Sequence, residues 1–357
     1  MKKMEIQKNI LLSEYTTIKL GGIASLFVKI TNSENLKEAL NYANENNLKS
    51  VILSGGSNII FPDSGFDGLV LYINIKGVKT YEDEKFYYAE VSAGENWDDF
   101  VLSVVQEGYS GIECLSGIPG SVGATPVQNV GAYGQEVSET IFSVTAIDRK
   151  TLKEVIFKNE ECRFSYRSSR FKSEDKDKYV IEKVVFRFDK NRTPDIKYNE
   201  LQKIMETNVN NFNLMPDKDK IYYLRENVLI LRAGKSMIIN PDDINSRSCG
   251  SFFTNPVLDK MEFENFRSIT SDYKDVPVYQ TGSEYKISAA WLVEKSGFVK
   301  GFRKGGVGIS SNHSLALINI NGTTKELLEL SSEIEKTVKD KFVIQLVKEP
   351  VVVSNFT

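Results

Sequence analysis

The sequence contains little of what metal sites, disulfide scaffolds and membrane anchors require. It has one histidine, His313, and three cysteines, Cys114, Cys162 and Cys249, without paired spacing. This set disfavours a histidine–cysteine metal site and indicates a reducing compartment without a disulfide framework. No apolar run has transmembrane length, and the N-terminal segment lacks the apolar core of a signal peptide. We therefore expect a soluble, cytoplasmic protein that binds no metal.

A strong charge of either sign is also missing. The 45 Lys and Arg residues nearly balance the 48 Asp and Glu residues, which leaves a net charge of −3. This balance argues against a general affinity for nucleic acid or for anionic membranes. Any bound phosphate must be held locally, by backbone amides and a few placed Lys or Arg side chains. The length of 357 residues, of which 41% are hydrophobic, is typical of two or three domains with substantial cores.

What the chain does have is a segment rich in glycine and proline. Five glycines and two prolines fall within the eighteen residues 117–134, which carry no charge. Glycine costs a helix interior about 1 kcal/mol and proline about 3, so regular structure is not expected here. The many amides fit a cradle for phosphate oxygens, and a Gly-rich surface loop is the alternative. Residues 54–58, Ser-Gly-Gly-Ser-Asn, are either a second such place or a simple tight turn.

Hydrophobic periodicity locates the regular elements, and Asn96 and Gly108 mark the two ends of one helix that begins at Trp97. Trp97 itself is expected in the core. Residues 205–220 are polar and Asn-rich and are the best linker candidate. Because strands predominate and helices intervene, the predicted fold class is α+β. Further helices are predicted over 33–46, 221–235, 287–297 and 325–342, and strands over 51–53, 68–73, 86–93, 141–148, 152–157, 179–188, 315–320 and 343–353.

Two arginines, Arg167 and Arg170, alternate with aromatic residues in the segment 164–172. They either balance the acidic residues 173–177 or direct two guanidinium groups at a carboxylate or phosphate. The residue types alone favour neither interpretation.

Glu349 is an acid within the apolar run 343–353. It is either an outward-facing strand residue or a buried acid with a partner and a function. The segment 248–256 lacks the G-x-S-x-G spacing of a hydrolase. A Cys249 nucleophile would need the distant His313 as its base and is disfavoured.

Four segments, taken in this order, resemble the UDP-N-acetylenolpyruvoylglucosamine reductase family. The resemblance extends from Thr16 to Glu349. Tyr198 resembles the tyrosine of the substrate-capping loop in the longer, type I branch of that family. The four segments are Gly55 to Asn58, residues 117–123 together with 128–134, Tyr166 to Lys172, and Gly250 to Pro256.

The resemblance implies a fold and a set of partners. The fold is an α+β arrangement with a two-part FAD-binding unit of the PCMH or vanillyl-alcohol-oxidase type and a C-terminal α+β substrate-binding domain. We expect FAD-binding subdomains over 1–75 and 76–215, a substrate-binding domain over 216–340, and a C-terminal strand over 341–357 that carries Glu349. The implied partners are bound FAD, the co-substrate NADPH and UDP-N-acetylglucosamine enolpyruvate, with the chain as a monomer.

The resemblance also assigns residues to these ligands. Those implied to bind FAD are Gly55, Gly56, Ser57, Asn58, Ile59, Gly117, Ile118, Gly120, Ser121, Gly123 and Ala124. Those implied to bind substrate are Tyr198, Lys235, Asn255, Tyr279 and Lys300, and Lys235 is also implied to lie near the NADPH phosphates.

The implied reaction adds hydride to the methylene carbon of the enolpyruvyl ether, so negative charge develops on the next carbon and its carboxylate. Fixed positive charge or strong donors must stabilise that charge. By resemblance, Arg167 supplies a permanent planar cation, and Glu349 supplies a donor if its pKa is raised enough to keep it protonated. Ser251 is the implied proton donor to the carbanion.

The sequence departs from the family pattern at two places, and two alternative functions are considered. Ser54 stands where the family usually has a glycine, which is tolerable if its φ is negative. The family commonly has Glu-Val-Arg where this chain has Glu349 followed by Pro350 and Val351, so an arginine is missing. The alternatives are another flavin oxidase or dehydrogenase of the same fold, and a flavin- or nucleotide-binding protein without turnover.

Overall fold

The computed structural model describes residues 4–208 and 212–354. Within them the chain forms two compact units, and each is assembled from separate stretches of sequence. The first unit comprises the chain up to Ile10, Ala24–Gly56 and Asp67–Gly234; the second comprises Leu11–Ile23, Ser57–Phe66 and the chain from Lys235 onward. The predicted boundaries at 75, 215 and 340 remain predictions.

Seven α-helices are present among the described residues: α1 (Ser33–Glu45), α2 (Trp97–Glu107), α3 (Asn199–Asn208), α4 (Asp217–Gly234), α5 (Lys260–Ile269), α6 (Ala289–Lys295) and α7 (Thr324–Phe342). Short 3-10 helices occupy Leu12–Tyr15, Glu113–Leu115, Val122–Ala124, Val137–Glu139, Asn159–Cys162, Phe212–Leu214 and Ile244–Ser246.

The strands of the described residues are β1 (Ile6–Leu11), β2 (Ile23–Ile30), β3 (Ser50–Leu53), β4 (Ile59–Ile60), β5 (Phe66–Ile73), β6 (Val78–Glu82), β7 (Phe86–Ser92), β8 (Gly131–Ala132), β9 (Gln135–Glu136), β10 (Ile141–Asp148), β11 (Glu154–Lys158), β12 (Tyr179–Asp189), β13 (Val257–Leu258), β14 (Val278–Thr281), β15 (Glu284–Ile287), β16 (Arg303–Lys304), β17 (Val307–Ile309), β18 (Leu317–Asn319) and β19 (Val351–Val352).

Two sheets form the framework of the first unit. One has the strand order β1-β2-β5-β3, with β3 parallel to β5. The other is antiparallel and has the order β11-β10-β12-β7-β6. In β10, Thr145 pairs with Lys183 and the next residue, Ala146, pairs with Ile181. Glu182 is therefore the extra residue of a β-bulge in β12.

Helix α2 shows how local sequence signals predict an element of the first unit. The Asn96 side chain accepts a hydrogen bond from the Asp99 amide, and Gly108 ends the helix with a φ of 89°. These are the N-cap and left-handed C-cap that the sequence predicts. Trp97 is 1% exposed and its Nε1 donates to the Leu115 carbonyl at 2.9 Å, which confirms its place in the core.

Helices α3 and α4 build a smaller apolar cluster in the same unit. Leu201 and Met205 of α3 pack with Leu224 and Val228 of α4. The described parts of the predicted linker 205–220 therefore belong largely to these helices, and its residues 209–211 lie outside the described residues. Asparagine is a poor helix former, so composition concealed the end of α3.

The second unit is organised around α7. Its apolar stripe, through Leu327, Leu330, Ile334 and Val338, is fully buried among the sheet β16-β17-β18 and helix α6. A further sheet has the order β13-β15-β14, and β4 pairs in parallel with β19. Helix α6 is shorter than the prediction over 287–297, because residue 287 closes β15 instead.

The predicted strand over 343–353 is wrong for most of its length. Helix α7 continues to Phe342, and Val343 ends it with a φ of 59°. Burial then alternates residue by residue through Leu346, as in a strand, but the backbone bonds irregular loops instead of a sheet neighbour. Only Val351–Val352 pairs as a strand. Alternation of buried and exposed residues indicates an extended backbone, but it does not indicate that a partner strand is present.

All three cysteines are buried free thiols. Burial raises the pKa of Cys162 and of Cys249 to about 12, so neither is a thiolate near neutral pH. None of the helices in the described parts of the chain is both long and apolar enough to span a bilayer.

Candidate active site

Two glycine-containing loops of the first unit approach each other at backbone distance. A Cβ built on Gly55 would lie 2.5 Å from the Cα of Gly120, and one built on Gly123 would lie 2.4 Å from the Cβ of Ala93. A side chain at Gly55 would therefore force the two loops apart, and one at Gly123 would push its loop away from Ala93. The glycines allow main chain to lie directly against main chain at this place.

The same loops leave backbone amides without protein acceptors. Among the described residues, the N–H groups of Gly55, Ile118, Gly120 and Ser121 donate no hydrogen bond. Partly buried amides normally find partners. Several such amides on adjoining loops suit an anion with several oxygens, such as a diphosphate. The chemistry of these donors therefore fits the diphosphate of FAD.

The segment is not the surface loop considered as an alternative. Val122, Thr125 and Asn129 are at most 3% exposed, and Ser121 is 6% exposed. Ser54, which replaces a glycine common in the family, does not have a positive φ, so its side chain is tolerated. Its hydroxyl group contacts the hydroxyl of Ser121.

An ion pair between a buried arginine and a partly buried aspartate holds Gly117 in place. Arg225 of α4 donates to both carboxylate oxygens of Asp98 in α2, at 2.6 and 2.8 Å, and the Gly117 amide donates to Asp98 Oδ1 at 2.6 Å. Burial alone would raise the pKa of Asp98, but the hydrogen bonds from Arg225 and from the Gly117 amide outweigh it and lower that pKa. Asp98 therefore joins two helices to the beginning of the loop.

Asn129 fixes the second half of the glycine-rich segment. Its amide nitrogen donates to Glu136 Oε2 at 2.7 Å and to the Ser165 carbonyl at 3.1 Å, and its oxygen accepts the Ser138 amide at 3.1 Å. Asn129 itself has a φ of 46°, a conformation that asparagine tolerates better than most residues. One buried side chain thus connects the hairpin β8-β9 to the segment that carries Arg167.

Arg167 lies at the tip of a tight turn. Ser165 and Ser168 exchange backbone hydrogen bonds at 3.1 Å, and Arg167 takes the second central position with a φ of 54°. Glycine is the residue usually found there, so an arginine in this conformation is strained, a feature that clusters at functional sites. Its Nη2 donates to the Gly131 carbonyl at 2.7 Å.

Arg170, three residues further on, has a structural role. Its Nε and Nη2 donate to Asp175 Oδ2 at 2.7 and 2.6 Å, and its guanidinium lies 4.3 Å from the centre of the Phe157 ring. The structure therefore gives different contacts to the two arginines, which the sequence alone could not distinguish. Arg170 secures its own loop, whereas Arg167 is directed at the glycine-rich segment.

Tyr198 lies at the tip of the β8-β9 hairpin. Its ring meets the Tyr133 ring edge to face, with 5.2 Å between centroids. Tyr133 and Gly134 form the turn with φ values of 48° and 86°, a geometry typical of a type I′ hairpin. Tyr198 remains 38% exposed. It is thus anchored on one side and open on the other, as a substrate contact requires.

In the second unit, Ser251 is presented on a loop with room around it. The preceding Gly250 has a φ of 73°, and a Cβ built on it would meet no atom within 4 Å. The next residues, Phe252 and Phe253, are at most 1% exposed and anchor the loop. Among the described residues, the Ser251 hydroxyl makes no hydrogen bond. This hydroxyl is therefore available to a ligand.

Glu349 lies beside this loop. Its amide donates to the Phe252 carbonyl at 2.9 Å, and its carbonyl accepts the Asn58 side-chain amide at 3.3 Å. The Asn58 carbonyl in turn accepts the Val351 amide at 3.0 Å. Glu349 is thus not a strand residue, but these bonds fix its backbone next to Ser251.

Two other predicted residues of this unit have defined surroundings. Asn255 accepts the Ala289 amide through Oδ1 at 2.9 Å, and its side-chain nitrogen makes no hydrogen bond among the described residues. Lys235 is partly buried and directly follows α4. Asn255 thus offers two N–H donors to a ligand while its oxygen is occupied.

The remaining predicted substrate residues are exposed side chains. Tyr279 is 56% exposed on β14, and Lys300 is exposed in the turn before β16. Within the described part of the chain, no hydrogen bond or ion pair connects either of them to Ser251 or Glu349. Ser57 and Ile59 flank Asn58, and Ile59 begins β4. In the described ranges, no group of three or more His, Cys, Asp or Glu side chains could hold a metal ion.

Sequence reasoning missed several residues that shape the site. Asn129 and Tyr133 lie inside the family segment 128–134, so their importance could have been predicted from the sequence. Asp98 and Arg225 are 127 positions apart, and no local pattern pairs them. The position of Glu182 in a β-bulge follows only from the pairing of β10 with β12.

Two parts of the chain match known protein-family profiles. Residues 24–151 match the profile described as FAD binding domain, and residues 242–353 match UDP-N-acetylenolpyruvoylglucosamine reductase, C-terminal domain. The UDP-N-acetylenolpyruvoylglucosamine reductase of Salinispora arenicola is 42% identical over 352 residues, which cover 96% of this chain and 94% of that protein. Its counterpart in Thermobifida fusca is 40% identical over 354 residues, or 97% of each chain.

Among solved structures, the UDP-N-acetylenolpyruvylglucosamine reductase of Thermus caldophilus superposes with a TM-score of 0.65 at 22% identity, covering 99% of this chain and all of that one. These matches confirm the predicted α+β fold with a PCMH-type FAD-binding part. They also favour the reductase over another flavin oxidase or a binding protein without turnover. The chain belongs to the UDP-N-acetylenolpyruvoylglucosamine reductase family, flavoenzymes of peptidoglycan precursor synthesis that use FAD and NADPH to reduce UDP-N-acetylglucosamine enolpyruvate.

Proposed function

We propose that this reductase divides its work between backbone donors that hold FAD and three side chains, Arg167, Ser251 and Glu349, that act on the substrate. The observation that carries the proposal is the contrast between unpaired amides around Gly120 and an unpaired hydroxyl on Ser251. The first suits a bound anion, and the second suits a group that must give up a proton.

The residues proposed to hold FAD are those of the two glycine-containing loops, from Gly55 to Ile59 and from Gly117 to Ala124. The amides of Gly55, Ile118, Gly120 and Ser121 would donate to the diphosphate oxygens. When bound, FAD supplies the hydride chemistry by taking hydride from NADPH and passing it to the methylene carbon of the enolpyruvyl group.

Arg167 is proposed to stabilise the charge that develops on the substrate. Addition of hydride at the methylene carbon moves an electron pair onto the adjacent carbon and into the carboxylate. A guanidinium group remains charged at any working pH and offers two parallel donors to a carboxylate. The strained turn holds that guanidinium in one place before the charge appears, which is the arrangement that lowers a barrier.

Glu349 is proposed to share this task in its protonated form. A neutral carboxyl donates one hydrogen bond to the enolate, whereas an ionised one would repel it. Ser251 is proposed to complete the reaction by giving its proton to the carbon next to the carboxylate. The new C–H bond forms as the O–H bond breaks, and water then returns a proton to the serine oxygen.

The nucleotide part of the substrate is assigned to Tyr198, Lys235, Asn255, Tyr279 and Lys300. The Asn255 amide nitrogen and the two ammonium groups are donors that suit diphosphate oxygens. The exposure of Tyr198, Tyr279 and Lys300 fits residues that contact substrate after it enters.

A monomeric, cytoplasmic enzyme completes the proposal. The FAD-binding and C-terminal reductase profiles both match this one chain, and three free thiols suit a reducing compartment. Sedimentation equilibrium giving the mass of a dimer would contradict the monomer.

The proposal is tested by exchanging each arginine for lysine. Arg167→Lys should slow turnover of the substrate about 100-fold, because an ammonium cannot reproduce the fork of donors. Bleaching of the flavin by NADPH should stay within about twofold. Arg170→Lys is the matched control, and it should leave both half-reactions within about threefold while lowering stability. Stopped-flow absorbance under anaerobic conditions separates the half-reactions. Near wild-type substrate turnover in Arg167→Lys would overturn the role of Arg167.

A further inference from the structure

Glu182 is a partly buried acid for which the reaction described above has no use. It is the extra residue of the β-bulge in β12, and bulges often redirect a side chain next to an active site. Its carboxylate oxygen Oε2 is shielded from solvent and accepts no hydrogen bond among the described residues. Leaving a carboxylate oxygen in this state costs free energy, so a natural protein that keeps it has a use for it.

The bulge is linked directly to the loop assigned to FAD. The Ala93 amide donates to the Glu182 carbonyl at 2.8 Å, and the Ala93 carbonyl accepts the Gly123 amide at 2.9 Å. Gly123 also packs on Ala93 so closely that a Cβ would lie 2.4 Å from the Ala93 Cβ. One residue therefore separates Glu182 from the glycine-rich loop.

The basic neighbour of Glu182 is already engaged. Lys183 pairs with Glu90 at 3.4 Å on β7, and no ion pair reaches Glu182 within the described residues. The carboxylate would repel a diphosphate, so the group it meets must be a neutral donor. The neutral donors of FAD with the strongest preference for a carboxylate are the hydroxyl groups of its sugars. Carboxylates at strand ends bind ribose hydroxyls in other nucleotide-binding folds.

We infer that Glu182 is a further cofactor-binding residue, and that its shielded Oε2 accepts a hydrogen bond from a sugar hydroxyl of FAD. This inference rests on the proposed assignment of Gly117 to Ala124 to FAD. The hydroxyl belongs either to the ribityl chain or to the adenosine ribose. Both have the same chemistry, and the experiment distinguishes them.

The test is the dissociation constant of FAD, measured from the fluorescence of released FAD when the holoenzyme is diluted. Glu182→Leu should raise that constant about 10- to 100-fold, because it removes a hydrogen bond to a charged acceptor. Glu182→Gln, which keeps an acceptor oxygen, should lose less than about tenfold. Glu90→Leu on the neighbouring strand is the matched control and should bind FAD like the wild type. Melting at saturating FAD checks that each variant is folded.

Two FAD analogues identify the hydroxyl, one lacking the 2′-hydroxyl of the adenosine ribose and one lacking a hydroxyl of the ribityl chain. The analogue that lacks the true partner should bind the wild type more weakly and should bind Glu182→Leu no worse than FAD does. Such non-additivity marks a direct contact. Full additivity for both analogues, or wild-type affinity in Glu182→Leu, would overturn the inference.

A loop variant separates this inference from the assignment beneath it. Gly55→Ala forces a Cβ against Gly120 and should weaken FAD binding if the loops hold the cofactor. If Gly55→Ala weakens binding and Glu182→Leu does not, only the role of Glu182 is wrong. If neither variant weakens binding, the assignment of the loops to FAD is wrong.

Discussion

The glycine-rich segment 117–134 of the first unit and the segment 248–256 of the second use glycine for opposite purposes. Around Gly120, glycines bring backbone against backbone and leave amide donors for a ligand. Gly250 has nothing within 4 Å of the position of its missing side chain, and it precedes Ser251, whose hydroxyl makes no hydrogen bond among the described residues. The first segment offers main-chain amide donors to a ligand, whereas the second offers side chains.

The comparison explains how strain and burial are distributed. Non-glycine residues with positive φ gather around the first segment at Asn129, Tyr133 and Arg167, where a fixed shape is needed. In the second segment, Phe252 and Phe253 are buried anchors, and the chemistry is left to the residue just before them. A rigid cofactor site and an accessible substrate site thus require different local structures.

A large effect that would sharpen this comparison is expected at Glu349. Glu349→Ala should slow the substrate half-reaction about 100-fold, because one donor to the developing charge is lost. Glu349→Gln should stay within about tenfold of the wild type, since an amide N–H replaces the carboxyl O–H. Glu335→Gln is the control, because Glu335 pairs with the neighbouring Lys348. Equal losses in Glu349→Ala and Glu349→Gln would show that an ionised carboxylate is needed. Stopped-flow rates with substrate provide the measurement.

A smaller effect, on stability, is expected at Asp98. Asp98→Asn should lower the free energy of unfolding by about 2 kcal/mol near neutral pH, since the buried Arg225 loses its charged partner. The folded-state pKa of Asp98 is lowered, so its stabilisation is complete above the ordinary carboxyl pKa of about 3.9 and is lost as pH falls through the folded value.

The gap between Asp98→Asn and the wild type should therefore close as the pH falls below about 4, in urea unfolding of the FAD-bound enzyme. Asp99→Asn, at the exposed neighbouring position, is the matched control. A gap of constant size across this range would mean that the ion pair does not hold the loop.

Local sequence determined much of the fold. The helix from Trp97 to Glu107 was found because its caps, Asn96 and Gly108, are themselves local signals. The helix Lys260–Ile269 was missed although Asp259 and Glu262 form a capping box that the sequence displays.

The site was less predictable where its geometry depends on contacts between residues far apart in the sequence. Arg167 and Arg170 could not be distinguished, because only the turn between Ser165 and Ser168 gives them different directions. The partnership of Asp98 with Arg225 spans 127 positions, and the bulge at Glu182 depends on pairing with another strand. The predicted strand around Glu349 was wrong because alternating burial does not reveal which neighbour accepts the hydrogen bonds.

The most direct test of the division of labour compares Ser251→Ala in the second segment with Gly55→Ala, whose new Cβ would press on Gly120 in the first. The dissociation constant of FAD and the anaerobic rate of the substrate half-reaction are measured for Ser251→Ala and Gly55→Ala, with Thr254→Ala as the control. We predict that Ser251→Ala binds FAD like the wild type but reacts with substrate about 1,000-fold more slowly. Gly55→Ala should bind FAD more weakly but, once saturated, react nearly normally. Equal slowing of the NADPH and substrate half-reactions in Ser251→Ala would contradict the account.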